Sequence, residues 1–106
     1  MKQNKLTSLL GIAMKAGKVV SGEFMTENAI KDGSACLVIL AKDCSNNTKK
    51  KFRNSCEYYQ VPYAEAEDKD ELGRCIGKEF RASLAVIDEG FAKTLMSYLE
   101  NNQEKE

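Results

Sequence analysis

The stretch of sequence best equipped for chemistry is Lys15 to Gly33, KAGKVVSGEFMTENAIKDG, and the chemistry it suits is anion binding. Ser21-Gly22 turns the chain from the β-branched pair Val19-Val20 into a helix that opens at Glu23. Free backbone N–H groups, the positive end of the helix dipole and the flanking Lys15 and Lys18 together suit a phosphate. A second segment, Lys78-Glu79-Phe80-Arg81-Ala82, reads as a loop with two cations and one exposed aromatic. Catalytic chemistry is poorly provided for. There is no histidine, which removes the usual triads and the commonest general base. Cys36, Cys44, Cys56 and Cys75 form no CxxC pair, so a zinc site would need all four thiols to converge through the fold. Asp43 follows an apolar run, where α/β sheets place phospho-acceptor or nucleotide chemistry, but no acidic pair accompanies it to hold Mg²⁺. No catalytic residue, metal site or cofactor is expected, and the chain reads as non-enzymatic.

The elements that must position these residues alternate along the chain. Leu6, Leu9, Leu10, Ala13 and Met14 follow helical spacing, with Asn4 or Thr7 as cap and Ala16-Gly17 as the stop. The helix from Glu23 to Asp32 places Phe24, Glu27, Asn28 and Lys31 on one side, with Met25, Ala29 and Ile30 near another, and Gly33 closes it. Ala35 to Ala41 is continuously apolar, as a strand buried on both faces would be, which predicts a central strand under helices. Thr48 to Tyr59 is helical with Phe52, Cys56 and Tyr59 facing in, and it carries Lys49, Lys50, Lys51 and Arg53 at the wrong end for its dipole. Val61 to Ala64 is a short strand whose proline points to a sheet edge or a strand start. Asp68 to Ile76 is a capped helix ended by Gly77, Ser83 to Ile87 is a second buried strand, and Asp88 caps a last helix with Phe91, Leu95, Tyr98 and Leu99 turned inward. This alternation predicts an α/β fold: a three-layer α/β/α sandwich with a four-stranded mixed sheet and helices on both faces. One domain is expected over residues 1–100, followed by a polar tail at 101–106 that frays.

Charge adds a direction. Residues 1–60 carry ten Lys/Arg against five Asp/Glu, and residues 61–106 carry six against eleven, so the halves cancel to zero. Such a division suggests a basic face for a polyanion and an acidic remainder that limits non-specific adhesion. No apolar run is long enough to span a membrane, and the N-terminus lacks a signal-peptide layout, so no membrane partner is expected. Unpaired cysteines fit a reducing compartment, and a cytoplasmic location follows.

Gly22 to Gly33, the run Ala35 to Cys44 (ACLVILAKDC), Val61-Pro62-Tyr63, Glu71-Leu72-Gly73 with Gly77, and Ala82 to Val86 (ASLAV) resemble, in order, the L-seven-Ae / L-thirty-e ribosomal protein family. The resemblance spans residues 6–99 and is nearest to the small bacterial members encoded as stand-alone proteins. It implies an RNA-binding protein of the α/β/α type that grips kink-turns, sharply bent internal loops with tandem sheared G·A pairs, with the ribosome or ribosomal RNA as partner. It also implies that the RNA sits on the corner at Gly22 and on the loop before the last strand. The family's motif there is Gly-Thr-Asn-Glu-x-x-Lys. Gly22 matches its glycine, while Glu23, Phe24, Met25 and Asn28 stand where threonine, asparagine, glutamate and lysine are usual. In the second loop Gly77 and Ala82 match, and Lys78, Phe80 and Arg81 replace a mostly apolar, proline-bearing segment.

The RNA-binding residues so implied are Lys18, Ser21, Gly22, Glu23, Phe24, Met25, Asn28, Lys78, Phe80, Arg81 and Ala82. Lys78 and Arg81 would meet phosphates. Phe80 would either stack on a splayed base, worth ~1–3 kcal/mol, or serve as plain core. Two other readings remain open from the sequence. One is a protein-interaction module of the translation or transcription machinery that uses the acidic half. The other is a phospho-acceptor or nucleotide-binding domain centred on Asp43.

Overall fold

The computed structural model describes residues 4–104, with side chains described through residue 100. Helix α1 (Lys5–Lys15) opens with a capping box in which the Asn4 side chain accepts from the Thr7 amide and the Thr7 hydroxyl accepts from the Asn4 amide. It stops where Gly17 turns left-handed at φ 76°. Strand β1 (Val19–Ser21) leads through Gly22 into α2 (Glu23–Lys31). That helix ends one residue earlier than its spacing suggests, because the Asp32 carboxylate is taken by the Ser34 amide and hydroxyl at 2.9 and 2.7 Å. The same two bonds hold the Asp32 carboxyl below its ordinary pKa.

Strand β2 (Leu37–Leu40) is buried at every position, as a two-faced strand must be. Helix α3 (Asn46–Tyr59) starts two residues before Thr48, because Ser45 is its cap and accepts from the Thr48 amide. Strand β3 is Tyr63–Glu65, shifted from the expected Val61–Ala64 for a simple reason. The Val61 amide closes α3 on the Cys56 carbonyl, and Pro62 has no N–H to give. Helix α4 (Lys69–Cys75) is capped by Asp68, strand β4 is Ser83–Val86, and α5 spans Glu89–Glu104 with the Asp88 carboxylate on the Phe91 amide. The tail expected at 101–106 lies outside the described side chains, and α5 carries its backbone as far as Glu104.

The strand order is β1-β4-β2-β3, with β4 antiparallel to both β1 and β2 and β3 parallel to β2. Helices α1, α4 and α5 pack together, and α2 packs on α3, which gives the three layers with helices on both faces of a mixed sheet. Phe52, Leu6, Leu10, Ile30, Leu72, Leu84 and Leu95 are fully buried in the core between these layers. Helices α1 and α4 approach so closely that a Cβ at Gly11 would lie 2.9 Å from the Cys75 carbonyl oxygen.

On α2, Met25 is exposed and Thr26 is buried, its hydroxyl accepting from the Ser83 hydroxyl. One inward assignment, that of Tyr59, is corrected. Tyr59 is exposed as well: it falls in the last turn of α3, where Gln60 turns left-handed at φ 60°, and Val61 enters the core instead.

Candidate nucleic-acid interface

Strands β1, β2 and β3 run one way and β4 the other, so the ends of the first three meet the start of β4 at a single edge of the sheet. Gly22 stands at that edge. Its amide donates to the Ser83 carbonyl at 3.0 Å, and its backbone adopts φ 92°, ψ 161°, a region essentially reserved for glycine. No side chain caps α2, so the amides of Glu23, Phe24 and Met25 stand in its first turn without an acceptor among the described residues. Glycine at this corner therefore does two things: it allows the turn, and it leaves the helix end open.

The loop from Lys78 to Ala82 is brought to the same corner. Arg81 donates from Nε to the Ser21 hydroxyl at 3.0 Å and from Nη1 to the Phe80 carbonyl at 2.8 Å. Its amide bonds the Lys69 carbonyl, and the Ala82 carbonyl accepts from Ala41. The guanidinium is thus pinned across the end of β1, with further N–H donors left over. The loop itself lies on α4 at Gly73, which is buried. The Lys78 amide bonds the Gly73 carbonyl at 2.8 Å, and a Cβ on Gly73 would collide with the Glu79 carbonyl. Phe80 is 64% exposed and Phe24 74%, so neither is a core residue.

Ser21, Gly22, Glu23, Met25, Arg81 and Ala82 are therefore gathered at one edge. Phe24 and Asn28 share a shallow cleft on the outside of α2 with Glu23, Glu27, Lys31 and Lys51. Lys78 and Phe80 line a separate one with Asp70, Arg74 and Glu79. Lys18 does not belong to the corner. It precedes β1, where its carbonyl accepts from Ile87 beyond the far end of β4, and the strand separates it from Gly22 by about 13 Å. Lys15, the last residue of α1, is on that far side too.

Lys51 is the residue that sequence reasoning missed. It reaches from α3 to the Glu23 carboxylate at 2.7 Å and the Glu27 carboxylate at 2.9 Å. Lys31 adds a weaker contact to Glu27 at 3.5 Å. The Lys51 hydrogen bond is the main reason the Glu27 carboxyl sits below its ordinary pKa, and the two carboxylates raise that of Lys51. Nearby Lys49 pairs with Glu65 at 3.5 Å. The cluster of lysines on α3 was visible in sequence, but its partners lie on other elements and leave no local pattern.

Asp43 accepts the Lys69 amide at 2.9 Å, a structural task at the start of α4. Among the described residues no group of three or more His, Cys, Asp or Glu is placed to hold a metal ion. All four thiols are pushed up by burial, Cys56 and Cys75 to about 11, so none is a thiolate at neutral pH. Among the described residues no helix is long and apolar enough to cross a membrane.

Comparison with known proteins places this corner in context. Residues 4–96 match the model of the ribosomal protein L7Ae/L30e/S12e/Gadd45 family. The chain is 50% identical over 92 residues to the RNA-binding protein YlxQ of Bacillus subtilis, covering 87% of this chain and 92% of that protein. It is 40% identical over 92 residues to the large ribosomal subunit protein eL30 of Methanosarcina mazei, covering 85% and 84%. Among solved structures, a protein of unknown function from Bacillus halodurans superposes with a TM-score of 0.90 at 37% identity, covering 92% of this chain and 99% of that one. A Giardia lamblia 15.5 kD RNA-binding protein shares the fold with a TM-score of 0.77 at 19% identity, covering 95% and 92%.

Proposed function

Since this chain belongs to the ribosomal protein L7Ae/L30e/S12e/Gadd45 family, we propose that it is a non-enzymatic, cytoplasmic protein that binds structured RNA of the kink-turn type, ribosomal RNA included. One observation carries the reading: an uncapped helix N-terminus at Gly22 lies beside a guanidinium anchored on Ser21. Three amides and the spare N–H donors of Arg81 lie at the same corner, a donor set that suits consecutive phosphates at a sharp bend. YlxQ of Bacillus subtilis, half identical to this chain, is named for RNA binding, and eL30 of Methanosarcina mazei for the large ribosomal subunit.

The chemistry also says how recognition is divided. Backbone amides and Arg81 position the backbone of the RNA and are indifferent to sequence. Exposed Phe24 and Phe80 offer flat apolar faces to unpaired bases. The decisive experiment is a filter-binding series with a kink-turn and an unkinked duplex of equal length. Tighter binding of the kink-turn is expected. Equal binding of the two would reduce the protein to a general RNA binder, and no binding of either would remove RNA as its ligand.

A further inference from the structure

We propose that Lys51 is a positioning residue of the RNA interface: it draws the Glu23 and Glu27 carboxylates away from the open end of α2 and cancels their charge there. The inference rests on the RNA-binding reading above. Glu23 is the first residue of α2, and its backbone amide is one of the three that face outward. An acidic side chain in a first turn is drawn to the positive end of its own helix. It is therefore both a competitor for those amides and a repulsive charge toward an incoming phosphate. Glu27 lies one turn further on the same side, and two like charges at this spacing oppose each other along a helix.

Lys51 resolves both conflicts from a different element. Its ammonium sits 2.7 Å from one Glu23 oxygen and 2.9 Å from one Glu27 oxygen, bridging the two carboxylates across the α2–α3 seam. With Lys31 on the second Glu27 oxygen, the cleft beside Phe24 and Asn28 holds two acids and two lysines and is electrically neutral. Removing Lys51 would leave one net negative charge there and free the Glu23 carboxylate to swing toward the helix end, with Glu27 left to Lys31 alone. Lys49 cannot stand in, since it pairs with Glu65 on β3. The Lys51 and Glu23 side chains are 40% and 61% exposed, so that arm of the bridge adds little to stability, while Glu27, 19% exposed and also held by Lys31, adds a modest share. The bridge's effect is expected mainly in binding.

The test is a mutant cycle read by filter binding to one kink-turn RNA at two salt concentrations, with a thermal melt of each protein. Lys51→Ala is expected to weaken binding by about three- to tenfold at low salt, and less at high salt, with the melting temperature nearly unchanged. Glu23→Gln with Glu27→Gln is expected to tighten binding, and adding Lys51→Ala to that pair to cost about twofold or less. Lys51→Arg, which keeps the charge, should bind as the parent does. An equal loss from Lys51→Ala with and without the two carboxylates would overturn the proposal and make Lys51 an ordinary phosphate contact. Failure of the parent protein to bind the RNA at all would instead overturn the RNA-binding reading, and this inference with it.

Discussion

At Gly22 the constraint is conformational and not steric. A Cβ there would meet nothing within 4 Å, yet φ 92° with ψ 161° costs a side-chain-bearing residue about 1–3 kcal/mol. A substituted chain relieves that strain by rotating the backbone, and rotation at Gly22 re-aims the amides of Glu23, Phe24 and Met25 together. Gly22→Val should therefore lower the melting temperature modestly and weaken RNA binding by more than the folded fraction explains. Melting curves and titrations on the same samples separate the two effects. If corrected binding is unchanged, the residue serves only the turn. The glycine and its turn are readable in sequence, because a small residue between a β-branched pair and an amphipathic run has few other uses. The role of Lys51 is not, since a bridge between two helices leaves no trace in the spacing of either.

Element by element, the shortest helix governs the loop that matters. Helix α4 spans only Lys69–Cys75, and the segment from Lys78 to Phe80 rests on its buried Gly73. Gly73→Ala would push the Glu79 carbonyl away and carry Arg81 off Ser21 with it. A stability loss of about 1–3 kcal/mol is expected, along with a binding defect that persists at temperatures where the protein is fully folded. Chemical denaturation and filter binding measure the two. The same placement ranks the basic surfaces. Lys78→Ala with Arg81→Ala should cost more affinity than Lys49→Ala with Lys50→Ala, although each pair removes two charges. Arg81 is anchored at the proposed interface, and Lys49 already has Glu65 as its partner. Titrating one RNA with both double mutants at equal salt decides it, and equal losses would indicate a diffuse basic field. The elements themselves were legible, because buried strands and capped helices write their periodicity locally. Their ends moved by one or two residues where a side chain or a proline claimed a backbone group, as at Ser45, Asp32 and Pro62. Lys18 was misplaced for a geometric reason: sequence adjacency to Gly22 hides a strand that carries the two to opposite edges.

For the molecule as a whole, zero net charge conceals a basic first half and an acidic second half, and folding brings parts of both to one edge. If 3–5 phosphates are neutralised there, log K should fall against log salt with a slope of about −2 to −4. A flat response with tight binding would point to base stacking in place of charge. The three-layer architecture could be anticipated from the alternation of elements, while the strand order could not, since a pairing such as Val19 with Val86 is invisible locally. That order has a consequence in time. Translation delivers β4 after the other three strands, yet β4 fits between β1 and β2, which are made before it. Until residues 81–86 emerge, Ser21 has no guanidinium, Gly22 has no carbonyl to bond, and β1 has no neighbour. The corner is thus assembled only when β4 arrives, and a product that stops at residue 80 lacks it. Capture of a ligand at the proposed interface has to wait for that strand, so copies of the chain that have not yet reached residue 86 are not expected to compete for it.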